Sequence, residues 1–250
     1  MVKTSASLLS AAGLVLLAAC GTKGSDNQVE TIESGKAGAT VSQSADAAAD
    51  RGASMVRFVN ALPGAGPLDI VSDSVSIFSG VKFADVSRYQ EVMGNIKKFS
   101  LKGAGQNGQL DANTEVMRDG GRYTMYAISD REGGAALRII RDDLKPEVGM
   151  ARVRVIHAAP GVDDIDVAMD GVREPLFDDV GYGDEAGFKD VAPVATAFVV
   201  RSADGAKALQ TVRKMQLVAG TAYTIVVTAK PGSKPSIVTF EDVLTGVGAQ

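Results

Sequence analysis

The chain writes one pattern twice, and that constrains its fold more than any other feature. Val56–Arg57–Phe58–Val59–Asn60–Ala61–Leu62–Pro63–Gly64 lines up with Val153–Arg154–Val155–Ile156–His157–Ala158–Ala159–Pro160–Gly161, an offset of 97. Carrying the comparison on to Asp73 and Asp170 keeps Asp69 over Asp166 and gives seven identities in eighteen positions, where chance gives about one. Further along, the offset grows to 100: Gly120–Gly121–Arg122–Tyr123–Thr124 matches Gly220–Thr221–Ala222–Tyr223–Thr224, and Leu137–Arg138–Ile139–Ile140 matches Ile237–Val238–Thr239–Phe240. Small loop insertions between two copies of one domain produce such a drift. Lys145–Pro146–Glu147 interrupts the pattern near 143–149, so the first copy is expected over 54–146 and the second over 147–244, with a tail at 245–250.

Inside each copy, short alternating runs are separated by turn residues every 8–12 positions, the spacing of an all-β sandwich or barrel. In the second copy the runs predict strands near 151–158, 164–170, 175–180, 195–202, 208–217, 222–230 and 235–241. No helical period appears outside the N-terminal leader. Seven strands in about a hundred residues predict two tandem immunoglobulin-like β-sandwiches. Leu217–Val218–Ala219–Gly220–Thr221–Ala222–Tyr223 resembles the tyrosine corner of such domains, and Tyr123 holds the same place in the first copy.

The N-terminus has a different character. Lys3 precedes an apolar run ending in Leu14–Val15–Leu16–Leu17–Ala18–Ala19, too short for a comfortable membrane span of about 20 residues but proportioned like an export signal. Leu17–Ala18–Ala19–Cys20 resembles the lipobox of bacterial lipoproteins. That resemblance implies cleavage of a signal peptide at 1–19 and lipidation of Cys20, with palmitate-type acyl chains holding the protein on the membrane. Gly21 rather than Asp follows the cysteine, which by resemblance to Gram-negative sorting favours the outer membrane. Residues 20–53 are rich in Gly, Ser, Thr, Ala and Asp with no apolar period, and read as a flexible, disordered tether spanning about 30 Å on average.

Composition then removes whole classes of function. The formal net charge is −4 with no dense Lys/Arg block, which argues against a nucleic-acid partner. One Cys and one His rule out a disulfide framework and the usual zinc cages. Gly103–Ala104–Gly105–Gln106–Asn107–Gly108 fits G-x-G-x-x-G, yet Leu110–Met117 reads as a strand where a dinucleotide site needs a helix. Asp163, Asp164, Asp166 and Asp170 offer oxygen ligands for calcium, but Ala168 and Met169 break the EF-hand spacing. No metal and no cofactor is expected.

Arg154–Val155–Ile156–His157–Ala158–Ala159–Pro160, Ile165–Asp166–Val167–Ala168–Met169–Asp170–Gly171 and Ala222–Tyr223–Thr224 together resemble the repeat of the family called domain of unknown function 4397. The resemblance spans nearly all of 55–244, closer in the second copy. It implies a bacterial, extracytoplasmic, often tandem architecture and no reaction. Beside it stand the residues' own readings. His157 aligns with Asn60, so that position asks for a turn-fixing hydrogen bond, not a general base. Arg154 and Asp166 face away from their sheet's core, as do Arg57 and Asp69, and each Arg–Asp pair is expected to meet across neighbouring strands. Phe83 and Tyr89 align with Tyr182 and Phe188; these four either fill the core or form the first candidate binding surface. The chain is expected to be a non-enzymatic, lipid-anchored envelope protein that presents its two sandwiches for binding or structural interaction, with an envelope protein or a glycan as partner; the alternatives are a carbohydrate- or polymer-binding module of the envelope and a carboxylate-dependent hydrolase. A hydrolase would need paired carboxylates in a cleft.

Overall fold

The computed structural model describes residues 52–204, 207–230 and 232–242. The expected signal peptide at 1–19, Cys20, nearly all of the expected tether at 20–53 and the expected tail at 245–250 lie outside the described residues. Eighteen strands make up the described chain. The first copy contributes β1 (Ala53–Asn60), β2 (Leu68–Ser72), β3 (Val75–Val81), β4 (Gln90–Met93), β5 (Asn95–Gly103), β6 (Gln109–Met117), β7 (Arg122–Ser129) and β8 (Ala135–Arg141). The second contributes β9 (Ala151–Ala158), β10 (Ile165–Met169), β11 (Phe177–Val180), β12 (Glu185–Val191), β13 (Ala195–Thr196), β14 (Phe198–Ser202), β15 (Ala208–Thr211), β16 (Met215–Gln216), β17 (Ala222–Thr228) and β18 (Ser236–Asp242).

Each copy is a sandwich of two four-stranded sheets. In the first the orders are β4-β1-β7-β8 and β3-β2-β5-β6; in the second, β12-β9-β17-β18 and β11-β10-β14-β15, with β13 and β16 as a small ribbon. The all-β expectation holds, and all seven strands read in the second copy are present. The order differs from the seven-stranded immunoglobulin constant arrangement: an eighth strand is present, and β1 lies in mid-sheet, parallel to β7, as β9 is to β17. The unforeseen strand is β12, whose Glu185–Ala186–Gly187–Phe188–Lys189–Asp190–Val191 alternates too weakly to be read from sequence.

Three cores follow from the alternation. Val56, Phe58, Ile70, Phe99, Leu101 and Met125 fill the first sandwich; Val153, Val155, Val167, Phe177, Phe198 and Ile225 fill the second. The opposite parity builds the third: Val59, Tyr126 and Ile128 meet Ile156, Val226 and Phe240. The outer faces of the two β1- and β9-containing sheets therefore pack on each other. This is why β1 is buried at every position and β17 likewise. Such double burial is why apolar residues fall on both faces of these strands.

Both copies run in the same direction across this contact. The Thr228 hydroxyl donates to Ala61 O at 3.2 Å where β1 and β17 end, and Tyr182 Oη donates to Ser129 O at 2.7 Å close by. At the other end, Arg152 Nη1 donates to Asp143 O at 3.0 Å in the connection between the copies.

Candidate functional site

The densest gathering of chemically capable side chains lies in the contact between the sheets, and it has an approximate two-fold pattern. Parallel pairing sets Arg57 beside Thr124 and Arg154 beside Thr224. Each Nε donates to its own copy's threonine, Arg57 to Thr124 Oγ1 at 2.9 Å and Arg154 to Thr224 Oγ1 at 2.8 Å. The guanidinium groups then reach across. Arg154 Nη2 donates to Asp142 Oδ1 at 2.6 Å, and Arg57 Nη2 donates to Asp242 Oδ1. The Thr124 and Thr224 hydroxyls donate hydrogen bonds to Asp142 at 2.9 Å and Asp242 at 2.6 Å. Each copy thus supplies the arginine for the other's aspartate.

This corrects the expected pairing of Arg57 with Asp69 and Arg154 with Asp166. Asp69, on β2, accepts from Gly80 N of β3 at 2.7 Å and Asp166, on β10, from Asp179 N of β11 at 3.0 Å, each where the ladder of its own sandwich shifts register. The parity was right, since both arginines do point away from their own core. But the space outside that core is filled by the other copy, so both are buried. Burial alone would raise the Asp142 carboxyl, yet Arg154 and Arg57, with hydrogen bonds from Tyr89 and Thr124, hold it below the usual carboxylate range.

The four aromatic residues are all half-buried, and all attend this contact. Arg57 lies 4.8 Å over the Tyr89 ring and Arg154 4.6 Å over Phe188. Tyr89 Oη also donates to Asp142 Oδ2 at 2.7 Å, and burial pushes its phenol well up. Tyr182 donates to the other copy's Ser129 and stands edge-on to His157 at 5.8 Å. Phe83 carries Lys230 of the other copy 5.9 Å over its ring.

Asn60 and His157 hold equivalent turns. Asn60 Nδ2 donates to Val81 O at 2.9 Å while its Oδ1 accepts from Leu62 N at 3.1 Å. His157 Nδ1 accepts from Ala159 N at 3.3 Å, which leaves Nε2, 3.1 Å from Asp163 O, to carry the proton and donate. Burial lowers the imidazole pKa, so it sits neutral. The next two residues in each turn, Pro63–Gly64 and Pro160–Gly161, end with glycine at φ 80° and 74°, where a Cβ is strained. The tyrosine corners form as read: Tyr123 Oη accepts from Arg118 N at 3.0 Å and Tyr223 Oη from Val218 N at 3.0 Å.

What sequence reasoning missed is the acidic half of the network and its threonines. Thr124/Thr224 and Asp142/Asp242 stand at the same offset of 100 as the Leu137–Ile140 match, so the repeat itself carried the signal. Near the far end of the contact a solvent-open cleft of about 300 Å³ is lined by Ser129, Asp130, Glu132, Arg138, Tyr182 and Asp184. Asp130 Oδ1 accepts from Glu132 N and Gly134 N at 3.0 and 2.6 Å and so closes its own turn. Among the described residues, no group of three or more His, Cys, Asp or Glu could hold a metal ion. The Gly103–Gly108 segment joins two antiparallel strands, not a strand and a helix.

With this geometry in hand, the family profile described as a domain of unknown function, DUF4397, matches residues 54–168 and again 151–250. The chain belongs to the DUF4397 family. A search of curated proteins finds no match. Among solved structures, the C-terminal domain of AlgF from P. aeruginosa matches at 20% identity and TM-score 0.32, over 37% of this chain and 98% of that one. A family 26 carbohydrate-binding module from Eubacterium rectale, solved with maltoheptaose, matches at 13% identity and TM-score 0.25, covering 74% of this chain and 95% of its own. A streptococcal virulence factor described by its alpha-glucan binding matches at 11% identity and TM-score 0.23, over 70% and 93%. These scores are too low to speak for this DUF4397 chain, whose strand order rests on its own hydrogen bonds.

Proposed function

We propose that this DUF4397 protein is a lipid-anchored, non-catalytic component of a bacterial cell envelope, held by Cys20 and presenting its two sandwiches as one rigid body for binding. In a Gram-negative host the outer membrane is its place. One observation carries the reading: the densest cluster of chemically capable side chains, Arg57, Arg154, Asp142, Asp242 and Tyr89, is turned inward and its members pair with one another. A catalytic constellation needs a substrate-reachable face, whereas these groups join two domains. The ligand is an envelope protein or a glycan.

The glycan is favoured by the cleft of about 300 Å³, where the half-buried Tyr182 stands among Arg138, Glu132 and Asp184. An aromatic body beside a few convergent polar groups suits a polyhydroxylated ligand. A glycan array run beside a pull-down from envelope extract, both with the intact protein, tests this. Retention of an unaltered glycan that is lost on Arg138→Ala supports the cleft. Cleavage of the glycan sinks the non-catalytic reading, and glycan retention indifferent to Arg138→Ala moves the site elsewhere.

A further inference from the structure

Apolar side chains exposed on this molecule are gathered at one pole. In the first copy, Gly52, where the described chain begins, accepts through its carbonyl from Gly94 N at 2.8 Å. Met93 precedes that glycine, and Ile96 and Val116 face each other across the β5–β6 ladder beside it. The β2–β3 turn with Val75 joins them through the Lys97–Asp73 pair at 2.6 Å. Met93, Ile96, Val116 and Val75 are all exposed, Ile96 to 69%.

The second copy repeats the arrangement. The carbonyl of Val194 accepts from Leu217 N at 3.0 Å, which sets Val194 beside Val218, and Met150 O accepts from Gly220 N at 2.8 Å, with Val148 just before it. Asp170 N donates to Ala197 O at 2.8 Å, bringing the β10–β11 turn and Val172 to the same end. Because the copies run in the same direction, these four exposed residues share a pole with the first four. Of the nine large apolar residues exposed among the described residues, only Leu110, in the β5–β6 hairpin, belongs to the opposite pole.

We infer that this pole rests on the lipid bilayer surface. The inference rests on the reading of Cys20 as the lipidated residue. The described chain begins at Gly52, 32 positions after Cys20, bonded to Gly94 beside Met93 at this pole. A lipid anchor on so short a lead holds the domain at an effective concentration of about millimolar against the bilayer, so a weak apolar contact is enough to orient it. Exposed charges of both signs lie at this pole, Arg118 beside Asp119, Lys145 near Glu147 and Arg173 beside Glu174, with the like pair Arg213–Lys214 just before β16. The apolar residues supply the contact, and phosphatidylcholine, which carries no net charge, is enough for it.

The test uses the full-length lipidated protein in phosphatidylcholine vesicles. With Cys20 lipidated, an added cysteine is the sole free thiol, so Val116→Cys, Val218→Cys and, as the opposite-pole control, Leu110→Cys each accept one nitroxide label. On reconstitution, labels at 116 and 218 should become several-fold less accessible to a water-soluble nickel relaxant and more accessible to oxygen, while the label at 110 stays unchanged. Equal accessibility at all three positions overturns the inference. Protection at 116 and 218 that appears only at high protein-to-lipid ratio also overturns it, and assigns the pole to a second copy. Mass spectrometry of Cys20 separates the two readings: without lipid both fall, and with lipid but equal accessibility only the pole inference falls.

Discussion

Replacing Asp142 with alanine should weaken both copies although only one is altered. Asp142 accepts from Arg154 Nη2 at 2.6 Å, from Thr124 Oγ1 at 2.9 Å and from Tyr89 Oη at 2.7 Å. Both side chains of the Arg154–Asp142 pair are fully buried. Truncating one partner of such a pair strands the other charge and costs about 3–5 kcal/mol. For a body of this size about 1 kcal/mol moves the melting temperature by about 2–4 °C, so Asp142→Ala should lower it by about 6–20 °C. The chain has no Trp, so circular dichroism follows the transition. Hydrogen exchange then locates the loss, which should appear in β9 and β17, where Arg154 and Thr224 reside, as much as in β7. Replacing the pair together, as Asp142→Leu with Arg154→Met, should recover most of the loss because no bare charge remains. A cost for Asp142→Ala under about 1 kcal/mol, or faster exchange confined to the first copy, would refute the reciprocal pairing.

The pH response should isolate His157. Its folded pKa lies below the ordinary value because of burial, so its contribution is complete above about pH 6.5 and is lost as pH falls through the folded value, at up to about 1.4 kcal/mol per unit. Glu185, raised by burial, works in the opposite sense, so the comparison is between wild type and His157→Asn. That variant copies Asn60 and should flatten the stability profile between pH 6.5 and 5 in urea titrations; an unchanged profile counts against a neutral, turn-fixing imidazole. Asp142, held low by Arg154 and Arg57 against its burial, adds a second loss only as the pH drops below about 4. Tyr123→Phe and Tyr223→Phe should each cost about 1–3 kcal/mol by removing the corner hydroxyl, and a pair of values near zero would make the corners ornamental. Cys20→Ser should move the protein from the membrane fraction to the soluble one, and continued lipid-labelled partitioning of the variant would end the anchoring reading.

Alternation along a strand reports which residues avoid their own core, and no more. It placed Val153 and Val155 inside and Arg154 outside, and both placements hold. It could not tell solvent from a second sheet, because a buried interface and an exposed face share the same parity. The hint lay in the other outward positions of the same strand, since Ile156 and Ala158 are apolar where a solvated face would be polar. The equivalence of Asn60 and His157 was legible because two side chains of similar reach served one turn. β12 was not, since Gly187 and the paired charges around it dilute its period. Asp142 and Asp242 were within reach of the repeat but lay beyond the last matched run, and their role depends on three-dimensional exchange between copies that no local pattern encodes.

That exchange also settles why charges occupy an interface that apolar residues alone could hold. Contacts among Val59, Tyr126, Ile156 and Val226 are non-directional, and a slip between the facing sheets would substitute one apolar neighbour for another at little cost. The same slip would separate both guanidinium groups from both carboxylates while keeping all four buried, a penalty of several kcal/mol for each pair. The two arginines also differ in their surroundings. Arg57 has the rings of Tyr89 and Phe240 at 4.8 and 4.4 Å, whereas Arg154 has Phe188 at 4.6 Å and Glu185 Oε1 at 3.9 Å. Exchanging the two copies would therefore misplace a carboxylate and a ring. The apolar side chains supply the adhesion, and the crossed pairs fix which alignment it can take.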